Sequence, residues 1–251
     1  MPSLPPSVAF VGALLLAGCT HQNTALHKNL SQQPDRPLPR RILLAQPDVR
    51  VHEISAGELV EEVDEWSKTA SAHAAKSVEA LAQSTRLFEL VEPAKLPDVG
   101  RAKLEQYGAL YALVAGSAYG AQHSPYDAWR TRAADFDYTL GPGLSSIADN
   151  QKIDAVLFVV GTDYISSSSR KAAMAFGIVL GLLAGAYYGP ESKPFFLSAG
   201  VVDMHTGELL WYSTERHSGS ADLRDPALMK SVVDDLFKTY PGAPKSADAK
   251  K

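Results

Sequence analysis

The residue types best placed to do chemistry here are a thiol, a set of strand-end carboxylates and a serine–lysine pair. Cys19 is the only cysteine in the 251 residues, and it closes the tetrapeptide Leu16-Ala17-Gly18-Cys19 directly after the apolar run Val8 to Ala17. A thiol can carry a thioether-linked diacylglycerol, and the small residues Ala17 and Gly18 let an extended backbone enter a narrow protease groove. The apolar run has the length of a signal-peptide core and is too short for an ordinary transmembrane helix. Residues 1–18 therefore read as a lipoprotein signal peptide with Leu16, Ala17 and Gly18 as its cleavage motif, and Cys19 as the lipid-bearing first residue of the mature chain. Met1 to Ser7 lacks the Lys or Arg that usually precedes such a core. An uncleaved anchor, or an ordinary apolar terminus with an incidental cysteine, is the alternative.

Other constellations carry less. Ser168 to Lys171 fits the S-x-x-K pattern of penicillin-interacting serine enzymes, but no S-D-N or K-T-G follows it. A serine run before a basic helix start explains it better. The seven histidines are scattered without metal-site spacing, and no G-x-S-x-G, P-loop or Rossmann glycine pattern occurs. Asp154, Asp163 and Asp203 fall at expected strand ends, where carboxylates either meet or hold turn amides. The reading is of a non-enzyme, with no catalytic residue, no metal and no cofactor.

Positioning these residues requires one folded unit. Hydrophobic residues make up 45% of the chain and charged residues 21%, the balance of a globular protein, and a net charge of −4 gives no reason to invoke nucleic acid. With Cys19 lipidated no internal disulfide can form, so stability must come from the core. Residues 19–41 read as the lipidated cysteine followed by a flexible tether, residues 42–241 as a single α/β domain, and 242–251 as a disordered tail. Ile42 to Leu44 and Val49 to Ile54 read as strands. Ser55 and Glu58 stand at capping-box spacing ahead of a long amphipathic helix through Trp66, Ala70, Ala74 and Leu81. Leu87 to Val91 is a short strand, Asp98 to Tyr119 a helix, and Gly120 to Leu144 an ordered loop. Ala155 to Val160 reads as a central strand buried on both faces. Phe195 to Val202 and Glu208 to Ser213 form a hairpin about a turn made by Asp203, Thr206 and Gly207, with Trp211 filling a sheet face. Asp225-Pro226 opens the last helix. The expected fold is a single mixed β-sheet with packed helices, a C-terminal hairpin and helix, and a glycine-rich apolar helix inserted between strands.

That insert, residues 172–189, carries Ala173, Gly177, Gly181, Gly185 and Gly189 at four-residue spacing. On a helix they form one smooth stripe, the arrangement that lets helix backbones approach closely in lipid. Each glycine lowers helix propensity in water by roughly 1 kcal/mol relative to Ala. Three readings stand: a single inner-membrane span, against which the preceding Arg170 and Lys171 argue by the positive-inside tendency; a membrane-contacting or self-associating helix or hairpin; and a helix or glycine-rich hairpin packed tightly against the domain's own sheet.

Asp154 to Phe158 and the later run Leu197 to Trp211 resemble a group of Gram-negative envelope lipoproteins. The group comprises curli-secretion-channel-like lipoproteins, the amino-terminal domain of the Tol translocation propeller protein, and related periplasmic lipoproteins. The resemblance spans roughly Ile42 to Tyr240, with about thirty residues specific to it. It implies a non-enzymatic module that binds an envelope protein or assembles with copies of itself. The channel members place membrane-spanning hairpins where the glycine stripe lies, but this insert lacks the alternating polarity of a barrel strand. Thr20, rather than Asp, follows Cys19, which points to the periplasmic face of the outer membrane, with the membrane as partner through the lipid on Cys19.

Overall fold

The computed structural model describes residues 20–33, 36–91, 96–147, 152–184, 193–217 and 221–244. Its organising element is strand β6 (Ala155–Ser166), which begins as a continuous buried apolar run and continues with alternating burial. Along one edge of β6 the chain lays two strands end to end. β2 (Arg41–Leu44) pairs in parallel with its first half, and β3 (Asp48–Ile54) with its second. Between them Pro47 interrupts the pairing, as a residue without an N–H must. On the other edge, β7 (Phe195–Asp203) and β8 (Leu209–His217) form the antiparallel hairpin.

β1 (Thr20–Leu26) pairs antiparallel with β8, from Thr20 opposite His217 to Leu26 opposite Trp211. The expected tether therefore does not begin after Cys19. A polar edge strand is held by backbone hydrogen bonds, which leave no hydrophobic pattern to read. A short helix α1 (Lys28–Ser31) follows. With β4 (Val60–Glu62) against β3 and β5 (Glu89–Val91) against β2, the eight strands form one mixed sheet, and the fold is α/β.

Helices cover both faces. α2 (Asp64–Thr85) and α6 (Pro226–Phe237) bury Ala70, Ala74, Val78, Val232, Leu236 and Phe237 against Ile42, Leu157, Leu197 and Trp211. α3 (Asp98–Gln122), α4 (Asp127–Asp135) and a 3-10 turn at Pro142–Ile147 cover the opposite face, where Tyr111 and Leu144 meet Leu43, Val156, Phe158 and Tyr212. Consecutive residues of β2 and β6 thus enter opposite cores, which is why their sequences are apolar without alternation. Full burial of each large apolar side chain is worth about 1.5–3 kcal/mol. Tyr111 comes close to the sheet because residue 200 is glycine; a Cβ there would lie 2.5 Å from its ring. The Tyr111 hydroxyl shares a hydrogen bond with Ser198 at 2.8 Å, and burial pushes its pKa up.

Two expected elements change. Ser55 and Glu58 cap no helix: Glu58 has φ 63° at the tip of the β3–β4 hairpin, Ser55 Oγ accepts from Leu59 N at 3.1 Å, and α2 starts only at Asp64. The region expected as a loop between Gly120 and Leu144 contains α4, an exposed helix whose short polar sequence has no apolar face to reveal it. At the free edge of β3, Ser67 and Ser71 of α2 accept the amides of Val51 and Val49 at 2.9 and 3.0 Å, so the helix closes an edge that would otherwise stay open.

Candidate functional site

The two ends of the sheet differ in chemistry. At one end the β7–β8 turn is closed by polar contacts. Asp203 Oδ1 accepts the amides of His205 and Thr206, each at 2.9 Å, and Gly207 takes φ +73° with its α-carbon against Gly141, where a Cβ would lie 2.0 Å from the Gly141 carbonyl oxygen. Arg36 bridges Asp203 and Glu208 at 3.3 and 3.1 Å, and Asn29 donates to Glu208 at 2.7 Å. Asp154 Oδ2 accepts the amides of Arg40 and Arg41, both at 2.9 Å. A shallow cavity of about 370 Å³ lies here, lined in part by Arg36, Arg40, Asp154, Asp203 and His205. Its carboxylates are already engaged by arginine or backbone, so the geometry is that of a locked turn.

Asp163 lies elsewhere, eight residues further along β6 than Ala155, which pairs with Asp203. It is almost fully buried, and its carboxylate accepts the amides of Tyr164 at 2.7 Å and Leu223 at 2.8 Å. Burial raises its pKa and these two bonds oppose the rise. Asp154 and Asp203 thus line one cavity while Asp163 lies apart, and each of the three holds backbone amides. Among the described residues no group of three or more His, Cys, Asp or Glu is arranged to hold a metal. A second cleft, of about 650 Å³, lies beside α2 and the ends of β2 and β5, with a lining that is mostly apolar.

At the opposite end the chain opens outward. β6 leaves the sheet at Ser166, α5 (Ser168–Ala184) starts after one connecting residue, and the chain returns to β7 by Lys193 and Phe195. Ser167 caps the helix, its Oγ accepting from Arg170 N at 3.2 Å and its carbonyl from Lys171 N at 2.9 Å. The S-x-x-K match is thus a helix start. Arg170, expected only as a basic flank, is buried and ion-paired with Glu58 at the β3–β4 hairpin tip. Lys193 stands over the Tyr164 ring at 5.2 Å, and Tyr164 stacks on His52 at 5.3 Å. Its first turn apart, α5 has no extensive packing against any other described element. Phe176, Ile178 and Val179 are 63%, 54% and 55% exposed, and Leu59 and Val60 on the adjoining hairpin are 66% and 40% exposed. The same end contains Glu215 of β8, buried with its Oε2 atom lacking a hydrogen-bond partner. Burial, and then the charge of Asp235, raises its pKa.

Of the expected residues, Leu16, Ala17, Gly18 and Cys19 lie outside the described residues, as do Gly185 and Gly189. Ala173 is exposed and Gly177 buried; Gly181 belongs to α5. Phe176, Ile178 and Val179 face outward, whereas Met174 is half-buried with its sulfur 3.9 Å from Ser166 Oγ. No helix among the described residues is long and apolar enough to cross a membrane. Trp211 is buried against Phe237 and Tyr240 at ring distances of 4.9 and 5.2 Å.

No protein-family model and no curated protein matches the chain. Among solved structures it is similar to a PelC dodecamer from Paraburkholderia phytofirmans, at 9% identity and a TM-score of 0.34, over 88% of this chain and 94% of that one. A PelC variant dodecamer from the same organism, in another crystal form, gives 10% identity and a TM-score of 0.36 over 88% and 95%. Likeness of that degree bears on neither family nor function.

Proposed function

We propose that this chain is a lipid-anchored, non-enzymatic module of a bacterial cell envelope, held through Cys19 at the periplasmic face of the outer membrane and acting by binding an envelope protein or further copies of itself. The observation that carries the reading is the position of Thr20. Strand β1 begins there, immediately after the lipobox-like Leu16 to Cys19, so a lipid on Cys19 attaches to the edge of the sheet with no slack between bilayer and domain. A domain held that closely works at a membrane surface. Two or three acyl chains, at about 0.8 kcal/mol per buried methylene, would make the attachment effectively permanent. The engagement of Asp154, Asp163 and Asp203 by backbone amides favours a binding role over hydrolysis.

Cys19→Ala tests this directly. The variant should lose lipid labelling and leave the membrane fraction, whereas continued retention would assign the anchoring to another segment and overturn the lipid reading.

A further inference from the structure

The apolar insert leaves and re-enters the sheet at the end where the lipidated residue would sit. Thr20 pairs with His217 and His217 with Phe195, so these residues form one row across β1, β8 and β7. Thr162 pairs with Phe196, which makes Asp163 level with that row; β6 then runs three residues beyond it to Ser166. Three strand spacings, about 14 Å, and three residues of rise, about 10 Å, put the start of α5 within about 20 Å of Thr20. The β3–β4 hairpin tip, with exposed Leu59 and Val60, stands at the same end, because Ile54 pairs with Ser166 and Glu58 ion-pairs with Arg170.

α5 has no polar face after Lys171: Ala172 to Ala184 contains no charged side chain and none with an N–H or O–H group. A helix apolar on every side belongs in a core or in lipid, and among the described residues neither hydrophobic core includes a side chain of α5. Its 17 described residues span about 25 Å. Exposed Lys171 stands at its start, a suitable partner for headgroup phosphates.

We infer that α5 is a bilayer-contacting helix, its surface around Phe176, Ile178 and Val179 entering the same leaflet that receives the lipid of Cys19, with Leu59 at the boundary. Lipid and helix together then fix the orientation of the sheet on the membrane, which a single flexible attachment does not. The inference rests on the proposed lipidation only for the choice of leaflet.

Because Cys19 is the sole cysteine, one labelling experiment separates the two claims. Full-length wild type, Val179→Cys and Leu113→Cys are purified from membranes, treated with a thiol-reactive NBD dye and reconstituted into phosphatidylethanolamine–phosphatidylglycerol vesicles, with or without brominated acyl chains. Leu113, on α3, is 71% exposed and serves as the aqueous control. We expect no labelling of wild type, and for the dye at position 179 a blue-shifted emission that brominated chains quench, while the dye at 113 stays unquenched. Labelling of wild-type Cys19 would overturn lipidation alone; the helix is then judged in Cys19→Ser/Val179→Cys by the same quenching. Unquenched emission at 179 overturns the helix inference. So does a blue shift that needs no vesicles and grows with protein concentration, which would assign the surface to a second copy of the chain.

Discussion

The two ends of the sheet are built to opposite rules. At the Asp203 end, carboxylates and arginines are matched to amides and to one another, and Gly207 fits where no side chain could. At the Ser166 end, a buried arginine reaches out to a half-exposed glutamate, Glu215 is buried with an unpartnered oxygen, and an apolar helix projects from the domain. The first end is complete in water. The second exposes the kind of surface that water does not stabilise and that a membrane or partner does. The comparison teaches that the locked turn and the exposed apolar surface are separated along the strand axis, so each can be damaged without the other.

The largest effect should come at the closed end. Gly207→Ala brings a Cβ onto the Gly141 carbonyl in a left-handed conformation, and we expect a loss of at least about 3 kcal/mol in urea unfolding, with membrane association of the remaining folded protein unchanged. At the open end, Arg170→Ala should cost about 1–2 kcal/mol. Its more telling consequence is that α5 loses its tie to Glu58, so hydrogen exchange in the first turn of the helix should accelerate while that of β7 and β8 stays slow. A smaller, pH-graded effect is expected at Glu215. Its folded-state pKa lies above the ordinary carboxylate value, so protonation favours the folded form: stability is greatest below the unfolded pKa and falls as pH rises through the folded one. Glu215→Gln should flatten that slope and raise the unfolding midpoint at neutral pH; an unchanged slope would mean that Glu215 is solvated in solution. In the other two tests, Cys19→Ala acts on the attachment and the dye at 179 on the helix, and neither substitution should alter the stability of the closed end.

Much of the positioning framework was legible in the chain. The apolar run Ala155 to Val160, the Asp203 to Gly207 turn and the Asp225-Pro226 helix start all rest on local chemistry: burial on both faces, amide-accepting carboxylate with a left-handed glycine, and an N-cap before proline. The boundary near Ser55 was not legible. Ser-x-x-Glu can close a hairpin as well as cap a helix, and here Glu58 at the hairpin tip pairs with a distant residue, Arg170, 112 residues away. Strand β1 was hidden for a related reason, since its pairing uses backbone groups that every residue has. The open end of the sheet was legible only in part: the stripe of small residues marked an unusual segment without showing which surface it meets.

By itself, the sequence determined most of the local elements and the α/β class, because periodicity and caps act over a few residues. Only the tertiary structure decided that Thr20 enters the sheet at once, that Arg170 is buried against Glu58, and that the apolar helix emerges at the same end as Thr20 with Phe176, Ile178 and Val179 outward. Those facts depend on strand order and register, which bring together residues far apart in the chain, and no local pattern encodes them.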